Sequence, residues 1–220
     1  MVRIICLGIG YLCGLFQTSY IYGRMNGIDI REHGSGNAGA TNALRTLGKK
    51  AGAFTLLGDC LKCVAAVLII RLLFGGSHQE IIRLLGLYGA AGCILGHNFP
   101  INLGFKGGKG IAASVGLLLS FDLRILAICA IVFFIVFFSS HYVSLASLLA
   151  YTTFLISLII MGQCGTFDMT QKALNEMYII ALLLIILTCY RHRKNISRLL
   201  QKTEPKTYLR TADKTINKKV

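Results

Sequence analysis

The 220-residue chain is 55% apolar, with a mean hydropathy of +0.65, a formal net charge of +14 and no tryptophan. That composition excludes an ordinary soluble domain, because several apolar runs approach the ~20 residues needed to cross a hydrocarbon layer of ~30 Å. The charge is uneven: Arg191 to Val220 sets many Lys and Arg against Glu204 and Asp213 alone, which suits an anionic membrane surface and, lacking interleaved aromatics, argues against a nucleic-acid partner.

In chain order the apolar segments fall at 2–23, 52–75, 81–103, 111–120, 123–138, 143–162 and 175–190. They predict an all-α integral membrane protein, a polytopic bundle of about seven transmembrane helices. Segment 2–23 has one Arg at its front and no small-residue cleavage pattern, so it is read as a retained first helix and not as a signal peptide. Segment 111–120 is short and spans only with help, or re-enters. Residues 1–204 form the expected membrane domain, and 205–220 a basic, disordered tail.

Seven crossings place the 24–50 loop, the loop holding Lys106 and Lys109, the Ser139–Tyr142 turn and the basic tail on one face, leaving Arg3, Arg124 and Lys172 on the other. The positive-inside rule makes the first face cytoplasmic, with the N-terminus outside and the C-terminus inside. No internal repeat is visible. Cys6, Cys13, Cys93, Cys129 and Cys189 lie in apolar runs, where a thiol packs as a small hydrophobe. Cys60 and Cys63 form an isolated CxxC with no second pair, so no metal or other cofactor is expected.

Three polar stretches gather on the cytoplasmic face. HGSGNAGATNALR, His33 to Arg45, mixes glycines with Ser35, Asn37, Thr41, Asn42 and Arg45. Glycines let successive N–H groups converge on an anion, and Ser, Thr, Asn and Arg add donors. A polar linker has similar composition. GHNFPINLGFKGGKGIAASVG, Gly96 to Gly116, lacks the spacing of a nucleotide P-loop, since Gly110 follows Lys109. What remains is a glycine turn feeding a helix N-terminus, where free N–H groups and two lysines favour an anion. His97 precedes the turn and is read equally well as an interfacial histidine bonded to backbone. RHRKNISRLLQKTE, Arg191 to Glu204, follows the last apolar segment. Basic residues are expected there on topological grounds, whereas His192 and Asn195 exceed that demand. On a continuing helix they share a face with Leu199.

Two features accompany these stretches. Asp59 and Lys62 share a helix face within an apolar run, where a charge pair is costly unless mutually satisfied or lining a cavity; both site-supporting and structural roles are open. Ser144 opens a helix in HYVSLASLLA with its hydroxyl toward the same side.

GSGNAGATNALR, GHNFPINLGFKGGKG and HRKNISRLLQKTE, in this order and with the Asp59–Lys62 pair and the YVSL of Tyr142 to Leu145, resemble the signature motifs of the bacterial acyl-phosphate-dependent glycerol-3-phosphate acyltransferase family. The likeness runs from about residue 3 to 204. It implies a seven-helix protein of the bacterial inner membrane that transfers an acyl group from acyl phosphate to the 1-hydroxyl of glycerol 3-phosphate, giving lysophosphatidic acid and phosphate. Carried over by position, it implies catalytic roles for Ser35, Arg45, Lys106, His192 and Asn195. Substrate-binding roles follow for Asn37, Thr41, Asn42, His97, Gly107, Gly108, Lys109, Gly110, Ser144 and Glu204. Two positions depart from the pattern: Lys202 stands where a Gly usually precedes the Glu, and Cys63 where a Gly usually follows the Lys.

Acyl phosphate is an activated anhydride whose leaving group needs little protonation, so holding two anions near a hydroxyl supplies much of the acceleration without an acyl-enzyme. The base is open between His97, His192 and the substrate's own phosphate. No histidine has an Asp five places on, which disfavours a thioester donor. A membrane transporter for a phosphorylated or anionic solute is the alternative, but the outer loops offer it few polar groups.

Overall fold

The computed structural model of the protein describes residues 1–208, and among these the regular structure is helical, with no strand. The first apolar segment is not one helix, contrary to the sequence expectation: α1 (Val2–Gly14) stops and α2 (Thr18–Met25) begins after a break at Leu15–Gln17. Polar side chains hold this break open. Gln17 is buried there and donates to the carbonyls of Gly14 and His97, both at 3.1 Å. The Phe16 carbonyl, freed from the helix ladder, accepts from Lys62 Nζ at 2.5 Å. An open backbone group inside a bilayer persists only where the protein itself satisfies it, and Lys62 does so here.

The chain continues through α3 (Ala40–Leu47), α4 (Lys49–Phe74), α5 (Ile82–Asn98), α6 (Ile111–Phe121), α7 (Leu123–Ser140), α8 (Val143–Gln163), α9 (Gln171–Arg191) and α10 (Arg193–Leu200). Six spans are long and apolar enough to cross a membrane: Val2–Met25, Lys49–Phe74, Gln79–Leu103, Leu123–Ser140, Val143–Gln163 and Gln171–Arg191. With 11 residues, α6 is only ~16 Å long. It reaches the far end because that end comes to meet it: Arg71 from α4 and Arg83 from α5 donate to the carbonyls of Ser120 and Phe121, at its last turn. Cations suit those unpaired carbonyls. Counted this way the bundle has seven traversing segments, one of them short.

The closest helix pair is α1 with α5, and small residues permit it. A Cβ on Gly10 or Gly14 would collide with the carbonyls of Gly89 or Cys93, and one on Gly92 or Gly96 with those of Leu7 or Tyr11. Helices in lipid associate through such packing, since burying apolar surface gains little there. The consequence for the site is that the end of α5, His97–Asn98, is held rigidly against the helix break. The interior is filled by residues such as Ile94, Leu117, Phe154 and Met177, while Leu57, Leu72 and Ile135 face outward at 60%, 85% and 64% exposure, as a lipid-contacting surface requires.

The two ends of the bundle differ in charge pairing. At the N-terminal end Glu176 binds Arg3, with one contact of 2.9 Å, and accepts from Tyr88 at 2.6 Å, and Asp122 holds Arg124 at 2.7 Å. Arg71 and Arg83 lie at this end too, so it is more basic than the loop residues alone indicate. The opposite end carries the three polar stretches. There Pro205–Tyr208, the start of the expected tail, lies on the bundle: the Thr207 N–H donates to the His141 carbonyl at 2.9 Å, and the rings of Tyr208 and His141 are 4.7 Å apart. The rest of that tail, 209–220, lies outside the described residues.

Candidate active site

The FKGGKG turn wraps the end of α5. The Gly108 N–H donates to the His97 carbonyl at 3.1 Å, and any Cβ on Gly107 or Gly108 would strike the His97 backbone or ring. The Ala38 carbonyl of the first polar stretch also packs on Gly108, so only glycine fits this approach. Arg191 grips the turn from α9: Nε and Nη2 donate to the Gly108 carbonyl at 3.1 and 2.6 Å, and Nη2 to that of Gly107 at 2.9 Å. Gly110, left-handed at φ 82°, then starts α6. Lys106 is exposed at the lip of the turn.

Glu204 fixes Asn195, which joins the third stretch to the second. Its Oε1 accepts from Asn195 Nδ2 at 2.7 Å and Ser144 Oγ at 2.8 Å, and its Oε2 from Arg198 Nε at 2.7 Å. Burial acts to raise the Glu204 pKa, but these three donors outweigh it and hold the carboxylate below its ordinary value. Asn195 Oδ1 in turn accepts from Lys109 Nζ at 2.6 Å. Burial, and then the nearby charges of Arg198, Arg191 and Arg45, lower Lys109 to about 8 against the opposing pull of Glu204. His192 is buried at the junction of α9 and α10, its Nδ1 2.9 Å from the Thr188 carbonyl. A carbonyl only accepts, so the proton sits on Nδ1 and Nε2 keeps its lone pair. Burial and Lys109 push its pKa down to about 4, leaving a neutral imidazole at neutral pH.

The first stretch is shaped by its own residues and by those just before it. Asp29 accepts from the Arg31 backbone N–H at 3.0 Å and from its guanidinium at 2.6 Å, which holds its pKa near 2, and Arg31 reaches on to the Leu103 carbonyl at 3.1 Å. Asn42 is buried with its whole amide engaged: Oδ1 accepts from the Ser35 N–H at 2.9 Å, and Nδ2 donates to Ile30 and His33 at 3.1 and 3.0 Å. Its part in this arrangement is to form the loop. Ser35 is thereby displayed at the surface, with Asn37 and Thr41 half-buried beside it. Arg45, one turn beyond Thr41, is exposed and donates to Thr207 Oγ1 at 2.5 Å and the Pro205 carbonyl at 3.3 Å, which ties the first stretch to the segment just after the third.

Beneath the turn lies a buried cluster. Lys62 Nζ donates to Phe16, to Asp59 Oδ1 at 2.8 Å and to His97 Nδ1 at 2.8 Å, and Thr18 Oγ1 adds a bond to Asp59 at 3.0 Å. Because Lys62 donates to Nδ1, the His97 proton is on Nε2, which is buried under Gly108. His97 therefore supports the turn from below, its basic nitrogen occupied by the Lys62 side chain and not by backbone.

A family model described as "Glycerol-3-phosphate acyltransferase" matches residues 4–202. The chain belongs to this family. A glycerol-3-phosphate acyltransferase of Clostridioides difficile is 45% identical over 205 residues, covering 92% of this chain and 94% of that protein. One from Allorhizobium ampelinum is 41% identical over 201 residues, covering 91% and 90%. Crystal structures of PlsY (YgiH), an integral membrane glycerol 3-phosphate acyltransferase, in glycerol 3-phosphate and lysophosphatidic acid forms, superpose with TM-scores of 0.80 and 0.78 at 30% identity, covering 94% of this chain and 96% of theirs.

Within this acyltransferase the departure at Lys202 has a structural answer. Lys202 adopts φ 57°, the left-handed conformation that glycine takes without strain, and Glu204 still reaches its three partners. The continuing helix expected through His192 bends there, yet His192 and Asn195 remain together on the buried side while Arg193 turns out to stack on Tyr190 at 4.5 Å. Arg191, Arg198 and Gln17 were not singled out by sequence reasoning. Basic residues beside a membrane helix read as anchors, and only the fold supplies their partners.

Proposed function

We propose that this acyltransferase moves a fatty acyl group from acyl phosphate to the 1-hydroxyl of glycerol 3-phosphate at the cytoplasmic face of a bacterial inner membrane, releasing lysophosphatidic acid and inorganic phosphate. The observation that carries the reading is the excess of cationic groups at one end of the bundle: Arg45, Lys106, Lys109, Arg191 and Arg198 surround glycine-shaped backbone, and Glu204 is the carboxylate bonded among them. Two phosphate-bearing substrates need such an excess, and an anhydride donor needs no nucleophile–base pair.

Ser35, Arg45 and Lys106 are the exposed groups that contact substrate phosphates, with Asn37 and Thr41 beside them. Glu204 and Ser144 fix Asn195, which aims Lys109. The acceptor hydroxyl attacks the acyl carbonyl, the C–O bond to phosphate breaks, and the phosphate leaves as an anion stabilised by the same cations. His192, at about 4, is a weak base at neutral pH. A phosphate monoester with a second pKa of about 6 is stronger, which favours the substrate's own phosphate as the proton acceptor. For a transported anion the far end is unsuitable, since the cavity of about 450 Å³ there is bordered by Glu80 and Asp168.

The donor is tested with purified protein in lipid, labelled glycerol 3-phosphate, and either palmitoyl phosphate or palmitoyl-CoA. Labelled lysophosphatidic acid from palmitoyl phosphate is expected. Product from the thioester alone would overturn the donor, and product from neither would overturn acyl transfer.

A further inference from the structure

We propose that Arg191 is a positioning residue for the turn, and that its grip on the Gly107 and Gly108 carbonyls is what presents the Lys109 amide and the first amides of α6 to a substrate phosphate. The peptide group is planar and trans, so a carbonyl and the next residue's N–H point in opposite directions. The first peptide obeys this visibly: the Gly107 carbonyl faces Arg191 and the Gly108 N–H faces away, to His97. The second has its carbonyl on Arg191 as well, so the Lys109 N–H is also turned away from the guanidinium, and it has no hydrogen-bond partner among the described residues. That donor adjoins the N-terminus of α6, whose first N–H groups have no partner within the helix.

A second observation points to a ligand at the same place. Asn98 is 0% exposed, its Oδ1 and Nδ2 both lack partners among the described residues, and Oδ1 lies against Gly110, the residue that opens α6. Buried amides are rarely left so, and an anion with its bound water over this helix start would engage it. Arginine is required at 191 because a planar fork meets two adjacent carbonyls while its face covers Phe99 at 5.1 Å, and an ammonium group can do neither in that geometry.

The kinetic part of the test rests on the acyl-transfer reading, and the binding part does not. Arg191→Lys, Arg191→Ala and the exposed control Arg193→Ala are compared with wild type in detergent. Hydrogen exchange of peptides covering 105–113 is followed with and without inorganic phosphate, and kcat and KM are measured for both substrates. Wild type and Arg193→Ala are expected to show phosphate-dependent protection of 109–113. Arg191→Lys should lose it and fall about 100-fold in kcat/KM with an unchanged melting temperature, as a misplaced binding group does. Guanidinium ion at non-denaturing concentration should restore part of both losses in Arg191→Ala.

Wild-type protection and kinetics in Arg191→Lys would overturn the proposal. So would the absence of phosphate protection in wild type, or losses that follow the melting temperature and resist guanidinium. No turnover by wild type alongside intact, Arg191-dependent protection would instead overturn acyl transfer and leave the positioning role standing.

Discussion

The two polar networks, one around Lys62 and one around Glu204, use the same residue types to opposite ends. Lys62 is buried and donates to Phe16, Asp59 and His97, so its three protons are all spent within the protein. Lys109 makes one such bond, to Asn195, and beside it Lys106 is open to the surface. An ammonium group inside a bilayer has to be satisfied internally, whereas one at the surface can wait for a ligand. On the proposed reading the Lys62 network is the frame and the Glu204 network the site: the first stabilises the break between α1 and α2 and the floor under the turn, and the second would supply charge for a substrate to neutralise.

That contrast can be broken by mutation. Lys62→Met leaves Asp59 buried without its cation and the Phe16 carbonyl without a donor, and is expected to cost about 3–5 kcal/mol, seen as a lower melting temperature by circular dichroism in detergent. An unchanged melting temperature would remove the distinction between frame and site. Lys106→Ala should do the reverse, lowering kcat/KM about 100-fold while the melting temperature stays within error.

A pH profile sharpens the same comparison. Lys109 loses its proton near pH 8, so turnover should decline between pH 8 and 10 as the site loses a positive charge. Stability should move the other way in that window, because the unfolded chain keeps the proton until about pH 10.4 and so binds more protons than the folded one. Parallel declines in rate and stability would contradict the assignment. The smallest expected effect is from Lys202→Gly, which relieves left-handed strain and should stabilise by about 1 kcal/mol without changing turnover.

Membrane helices were legible because hydropathy over twenty residues is a long signal, and the polar stretches because, although a linker shares the composition of one, three occur together in order. The break at Leu15–Gln17 was not legible: Phe16, Gln17 and Thr18 look unremarkable until Lys62, far along the chain, fills the gap. Asn42 was visible as a polar group, but its engagement with Ser35, Ile30 and His33 depends on loop closure that no spacing encodes. Arg191 was hidden by its position, since the charge that anchors a helix end is the same charge that grips the turn. Glu204 was visible by motif, and Lys202 preserves its placement by accepting strain that the sequence does not display.

The most direct test of the central claim follows phosphate and lysophosphatidic acid in one tube, from palmitoyl phosphate and purified protein in lipid, with and without glycerol 3-phosphate. The account predicts phosphate release that depends on the acceptor and matches the product one to one. Release without the acceptor, or acceptor-dependent release with no lysophosphatidic acid formed, would contradict it.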